Sequence, residues 1–161
     1  MSKPVQAVQV KVPEKCQVKR CRKEGCTVSM AGIRGQRVII DLDCEDLNLP
    51  PNQTLCDYIF FGTKKRDADK DWVVPMELKK GNVDISDVAK QLQGGANVAD
   101  QIIPHDASMN FIPVVASGNF SKHEQRQLRN RSNNVRFRGR SAIIQRVRCG
   151  DSLTQVLKDT G

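Results

Sequence analysis

Aromatic side chains are scarce in this chain of 161 residues, with one Trp, one Tyr and five Phe. A stacking platform for single-stranded nucleic acid needs aromatic faces under successive bases, so that class of binder is disfavoured. Long apolar runs are missing too. Stretches such as Val38-Ile39-Ile40 and Tyr58-Ile59-Phe60-Phe61 fall far short of the roughly 20 residues that span a bilayer, and no membrane partner is expected. The first residues lack the apolar core of a secretion signal, which sets the expectation of a cytoplasmic address. Histidine occurs only at His105 and His123. No G-x-G-x-x-G, P-loop or G-x-S-x-G is present, which excludes the common phosphate-cradling loops and the nucleophile elbow.

What is present is positive charge, 26 Lys and Arg against 18 Asp and Glu, for a net charge of +8. Such a balance favours polyanions, because each lysine or arginine contact releases counterions from a phosphate backbone. The charge is also segregated. Lys122, Arg126, Arg129, Arg131, Arg136, Arg138, Arg140, Arg146 and Arg148 share their span with one carboxylate, Glu124. The first seven are the candidate nucleic-acid contacts. Acids gather elsewhere, notably at Asp41, Asp43, Glu45 and Asp46.

The six cysteines are Cys16, Cys21, Cys26, Cys44, Cys56 and Cys149. In a cytosolic chain thiols stay reduced, so ordinary small buried thiols are expected rather than disulfides. The C-x4-C-x4-C spacing of the first three, with Cys44 as a fourth ligand, is looser than structural zinc sites use. No structural zinc is expected.

Along the chain, loosely alternating Val5, Val8, Val10 and Val12 suggest an edge strand or arm, and Pro13-Glu14 opens a short helix towards Lys23. Residues 27–31 and 36–43 read as two strands about a glycine turn. Leu55 to Phe61 and Trp72 to Lys79 are strands joined by a polar loop. Asp84 caps a helix whose Ile85, Val88, Leu92, Ala96, Ala99 and Ile103 recur at helical spacing. Gly94-Gly95 either breaks that helix or admits an unusually close neighbour. Phe111 to Ala116 is a strand, Ser121 caps a basic helix, 140–147 is a further strand, and Asp151-Ser152 starts a short final helix. The expectation is one α/β domain with a mixed sheet flanked by helices. Residues 1–26 form an N-terminal arm or short helix and residues 27–161 the core, with a basic helix-strand region at its C-terminal end.

The decisive segment is Cys56-Asp57-Tyr58 followed by Met76-Glu77-Leu78-Lys79-Lys80-Gly81. Residues two apart in a strand share a face, so Glu77 and Lys79 project together. Antiparallel pairing across the polar loop brings Asp57 beside them. An aspartate opening one strand and Glu-x-Lys near the end of the next resemble the PD-(D/E)xK nuclease superfamily, over roughly residues 55–116. The resemblance implies a restriction-endonuclease-like fold and a magnesium or manganese ion held by Asp57, Glu77 and the Leu78 backbone carbonyl. It implies Lys79 as the residue that positions or activates the attacking water, and Gln91 as a polar neighbour from the following helix. A further acid is common in the family. Glu14, Asp41, Asp43 and Glu45 all remain candidates. Cys56 stands where the family often has proline.

The expected function is metal-dependent hydrolysis of phosphodiester bonds in DNA, less readily RNA, in restriction, repair or defence. The alternative is a nucleic-acid-binding or scaffold subunit that keeps the fold without catalysis. The small size suggests a partner, either a second copy or a separate specificity subunit.

Overall fold

The computed structural model describes residues 3–63 and 71–157. The polar loop expected between the two central strands falls at 64–70, outside the described residues. Helix α1 (Lys3–Lys11) comes first, then a 3-10 turn (Glu14–Cys16) and β1 (Gln17–Val18). A hairpin, β2 (Cys21–Lys23) and β3 (Cys26–Val28), precedes β4 (Arg37–Asp41), a second 3-10 turn (Glu45–Leu47), β5 (Tyr58–Gly62) and β6 (Asp71–Lys79). Then follow α2 (Ile85–Ile102), β7 (Met109–Phe111), β8 (Val114–Ser117), α3 (Lys122–Arg129), β9 (Val135–Phe137), β10 (Arg140–Ala142) and β11 (Gln145–Arg148). A last 3-10 turn spans Leu153–Gln155.

The main sheet runs β1-β4-β5-β6-β8-β11, with β7 also on β6. Its first half is antiparallel, and β6, β8 and β11 are mutually parallel. Alternation along each strand divides the core. One face buries Val38, Ile40, Ile59, Phe61, Val73 and Val115 against α1 and α2. The other buries Ile39, Phe60, Val74, Met76, Leu78 and Val114 against the β2–β3 hairpin and the C-terminal turn. Among the described residues no helix is long and apolar enough to cross a membrane.

Several local expectations are corrected. The N-terminal valines form a helix, not a strand, and Val5 and Val8 are buried in the main core. The stretch after Pro13 makes one 3-10 turn and then strands, because β1 pairs with β4 and β2 with β3. The strand expected at 27–31 is accordingly β3, which pairs with β2 rather than with 36–43. Pro113 separates β7 from β8 by withholding a ladder donor, and 140–147 is likewise split into β10 and β11. The final helix is the 3-10 turn Leu153–Gln155.

The cysteines depart furthest from expectation. Cys16 is bonded to Cys44 and Cys26 to Cys149, across sequence separations of 28 and 123 with Cα atoms 5.4 and 5.0 Å apart. Cys21 and Cys56 are free and buried. Three of the four residues considered for zinc are therefore consumed in covalent pairs. Pairings across such separations depend on the completed fold, which spacing in the sequence does not report.

The capping signals were legible. The Asp84 carboxylate accepts from the Ser86 and Asp87 backbone N–H groups at 3.0 and 3.3 Å. Ser121 and Glu124 form a reciprocal capping box on α3. Helix α2 passes unbroken through Gly94-Gly95, and the close neighbour is the chain before β5. A Cβ on Gly94 would lie 1.8 Å from the Thr54 carbonyl oxygen, and one on Gly95 would lie 2.3 Å from Cys56 Sγ. Alanine normally gains about 1 kcal/mol over glycine within a helix, but here there is no room for the methyl group. Gly94→Ala is expected to destabilise the protein by about 3 kcal/mol, measured by urea unfolding. A neutral or stabilising outcome would contradict this packing.

Candidate active site

The site lies at the carboxyl end of β6. Asp57, just before β5, is fastened to β6 through two contacts. Its backbone N–H donates to the Met76 carbonyl at 3.1 Å, and its Oδ2 accepts from the Leu78 N–H at 2.9 Å. Its own carbonyl accepts from the Leu42 N–H at 3.0 Å, tying in the end of β4. Glu77 projects from β6 on the α2 side and is only 2% exposed. Lys79, two residues on, reaches Glu77 Oε2 at 3.2 Å. Glu77 Oε1 is buried with no hydrogen-bond partner.

Burial, then the negative charge and contact of Asp57, push the Glu77 carboxyl up to about 7, while Lys79 pulls the other way. Two carboxylates are thus held where ionising both is costly, the electrostatic situation that a cation relieves. Gln91 lies on α2, one turn before Gly95. Gly95 sits over Pro75, with its Cβ position 3.2 Å from Pro75 Cβ. The helix runs back along β6, so one turn earlier Gln91 stands level with Glu77. The Gln91 Oε1 is also buried without a partner.

The sequence missed Lys23. Its ammonium pairs with Asp57 Oδ1 at 3.3 Å and with Asp43, and these contacts raise its pKa, Asp43 contributing most. Nothing in the local pattern of β2 signalled this role. Of the four candidate extra acids, Asp43 shares the counter-ion Lys23 with Asp57. The Asp41 carboxylate accepts from the Asp43 N–H at 2.9 Å. Glu14 and Glu45 lie on the two 3-10 turns stapled by Cys16–Cys44. Among the described residues no three His, Cys, Asp or Glu side chains are gathered as metal ligands. The residues that could hold a metal are Asp57 and Glu77, with the Leu78 carbonyl beside them. Oxygen donors of this kind, completed by waters, suit magnesium, and the orphaned Glu77 oxygen is consistent with such a group.

The basic tract is divided. Ser117 pairs with Lys79 on one side and Arg148 on the other, so α3, which follows β8, starts at the same sheet edge as the acids. Lys80, Lys122, Arg126, Arg129, Arg131 and Arg148 are exposed. Arg136 and Arg140 are exposed as well, on the β9–β10 hairpin. Arg138, expected as a phosphate contact, is instead structural. Its guanidinium donates to Asp100 Oδ1 and to the carbonyls of Asp100, Ile103, Pro104 and Ala107 at 2.7–3.3 Å. Those carbonyls lie at and beyond the end of α2, where a cation also suits the helix dipole. Arg140 shares this far edge with a cleft of about 470 Å³ lined by Trp72, His105, Phe111 and Phe137. His123 is exposed on α3.

Fold and site define the class: a single-domain α/β protein with a mixed sheet flanked by helices, carrying an acidic pair, Glu77 buried and Asp57 half-buried, with lysines on either side. Comparison with protein-family models, with curated proteins and with solved structures found no match.

The raised Glu77 carboxyl has a signed consequence. Below about pH 4.5 folded and unfolded chains both carry its proton, and between 4.5 and about 7 only the folded chain does. Its contribution therefore favours the fold at the acid side of that window and fades as pH rises through it, by about 3 kcal/mol. Glu77→Gln should remove this dependence. In metal-free buffer the stability difference between variant and parent, followed by urea unfolding, is expected to grow from pH 4.5 to 7. A flat difference would refute the electrostatic assignment.

Proposed function

We propose that the protein is a metal-dependent nuclease of PD-(D/E)xK type that hydrolyses phosphodiester bonds in DNA. The observation that carries this reading is the meeting of Asp57, Glu77 and Lys79 at one sheet edge, with the two carboxylates crowded and a Glu77 oxygen unpartnered. A protein that only binds nucleic acid gains nothing from gathering like charges in its interior. The order of elements supports the same reading. An aspartate opens β5, Glu-x-Lys closes β6, and α2 returns to the parallel strand β8.

Asp57, Glu77 and the Leu78 carbonyl would hold magnesium or manganese. When bound, the ion supplies charge neutralisation at the scissile phosphate and lowers the pKa of a water molecule. Lys79, anchored by Glu77, would orient the attacking water and stabilise the hydroxide through its ammonium charge. Gln91 is the polar neighbour that steadies this arrangement. The exposed Lys80, Lys122, Arg126 and Arg148 lie on the approach to the acids and would hold flanking phosphates, which position a duplex without reading its sequence. A second copy or a specificity subunit would supply the remaining contacts.

A second reading, a non-catalytic nucleic-acid-binding subunit, is favoured by one feature: Asp57 already has a cation, Lys23. Incubation of plasmid, linear and single-stranded DNA with magnesium or manganese separates the two. Cleavage is expected, and Glu77→Ala and Lys79→Ala should each lower its rate by at least about 100-fold with little change in DNA affinity by fluorescence anisotropy. Tight binding without cleavage in any divalent ion, with the chain either oxidised or reduced, would establish the binding subunit instead.

A further inference from the structure

The β2–β3 hairpin crosses the sheet face opposite α2, and its tip meets the carboxyl end of β6. Lys23 there pairs with Asp57 and Asp43. At the turn, a Cβ on Gly25 would lie 3.4 Å from Lys80 Cδ and Nζ, so the backbone abuts the lysine that follows β6. Cys26 is bonded to Cys149, whose Sγ lies 3.8 Å from the Lys79 carbonyl oxygen. One covalent bond therefore holds the tip beside the acidic pair.

The rest of the hairpin is secured independently. The Tyr58 hydroxyl donates to the Arg22 carbonyl at 2.7 Å. Beyond the tip, the Gly150 N–H donates to the Thr27 carbonyl at 2.6 Å, Ser29 N–H to Asp151, and Leu153 N–H to Ser29, the last two at 2.9 Å. Only Lys23–Cys26 lies between these anchors. Loss of the sulfur bond would remove the covalent tie of the tip, leaving it held by the Lys23–Cys26 ladder pair and the buried Cys26 side chain, with the rest of the hairpin docked.

Both Asp57 oxygens are taken, Oδ2 by the Leu78 N–H and Oδ1 by Lys23. The backbone donor belongs to the sheet and stays. Lys23 is 36% exposed at its side chain, against 12% for Asp57, and can withdraw into solvent. A divalent cation that uses Oδ1 must displace it.

We propose that the β2–β3 tip is a redox-latched strap: Lys23 serves as an internal counter-ion at Asp57, and reduction of Cys26–Cys149 by a dithiol lets a divalent cation take its position. The proposal rests on the reading of Asp57 and Glu77 as a cation site. In the reductive step the S–S bond breaks and the external dithiol closes to its own disulfide. Two electrons and two protons pass to Cys26 and Cys149, which become thiols. Cys16–Cys44 joins the two 3-10 turns, not the strap, and serves as an internal control.

The test is manganese binding to the full chain by isothermal titration calorimetry, with hydrogen exchange at residues 22–26 as a second readout. Lys23→Met should bind manganese about five- to tenfold more tightly than the oxidised parent. Parent protein reduced with dithiothreitol and desalted should show a similar gain, as should Cys149→Ser, with faster exchange at the tip. Adding Cys149→Ser to Lys23→Met should give no further gain, and Cys16→Ser none by itself. The strap is refuted if Lys23→Met binds no more tightly than the oxidised parent. It is also refuted if opening the disulfide helps equally in the absence of Lys23. Tighter manganese binding by Lys23→Met and by the reduced parent, without DNA cleavage, would uphold the strap and remove the nuclease reading, and a gain from Lys23→Met with none on reduction would refute the latch. No manganese binding by any variant would overturn both.

Discussion

The Leu78 N–H donated to the Asp57 carboxylate is the contact on which the site depends. With the Asp57 N–H on the Met76 carbonyl, it locks an aspartate from one strand onto the end of the next and confines its charge beside Glu77. A carboxylate free to turn would point to water, since like charges repel more strongly where one of them is buried and the dielectric is low. Held in place, the pair makes a negative focus at the rim of the parallel half of the sheet. The chain answers it with lysines, Lys79 from the same strand and Lys23 from the hairpin on the opposite face.

Helix α2 supports that focus from one side. Its two glycines let the helix backbone settle against Thr54 and Cys56, the residues that lead directly into Asp57. The close approach therefore sets both the height of the helix over β6 and the position of the aspartate. At the other end of α2, Arg138 gathers four backbone carbonyls, at a helix terminus where unmet buried acceptors are costly. An arginine from the most basic stretch of the chain is spent on capping a helix.

The opposite face is closed with less secondary structure. A short hairpin and a 3-10 turn cover Ile39, Phe60, Met76 and Leu78, and two strands of three residues are marginal without help. The Cys26–Cys149 bond and the hydrogen bonds to 150–153 supply it. This cover brings Lys23 to Asp57, so a stability requirement and the electrostatics of the site meet in one hairpin.

The sequence alone determined the features that depend on neighbours in the chain. The period of two in β5 and β6, the period near 3.6 in α2, the caps at Asp84 and Ser121, and the shared face of Glu77 and Lys79 all arise within a few residues. Asp57 was legible for a related reason, since two adjacent strands joined by a polar loop pair antiparallel. Only the tertiary structure decided the partners of the cysteines, the place of Lys23, the service of Arg138 at the end of α2 and the neighbour that admits Gly94. Each joins segments far apart in the chain, where the geometry comes from packing the whole sheet. The N-terminal valines show the same limit from the other direction. Their loose alternation suited a strand, but burying Val5 and Val8 together against the sheet required a helix, and tertiary burial outweighed local pattern.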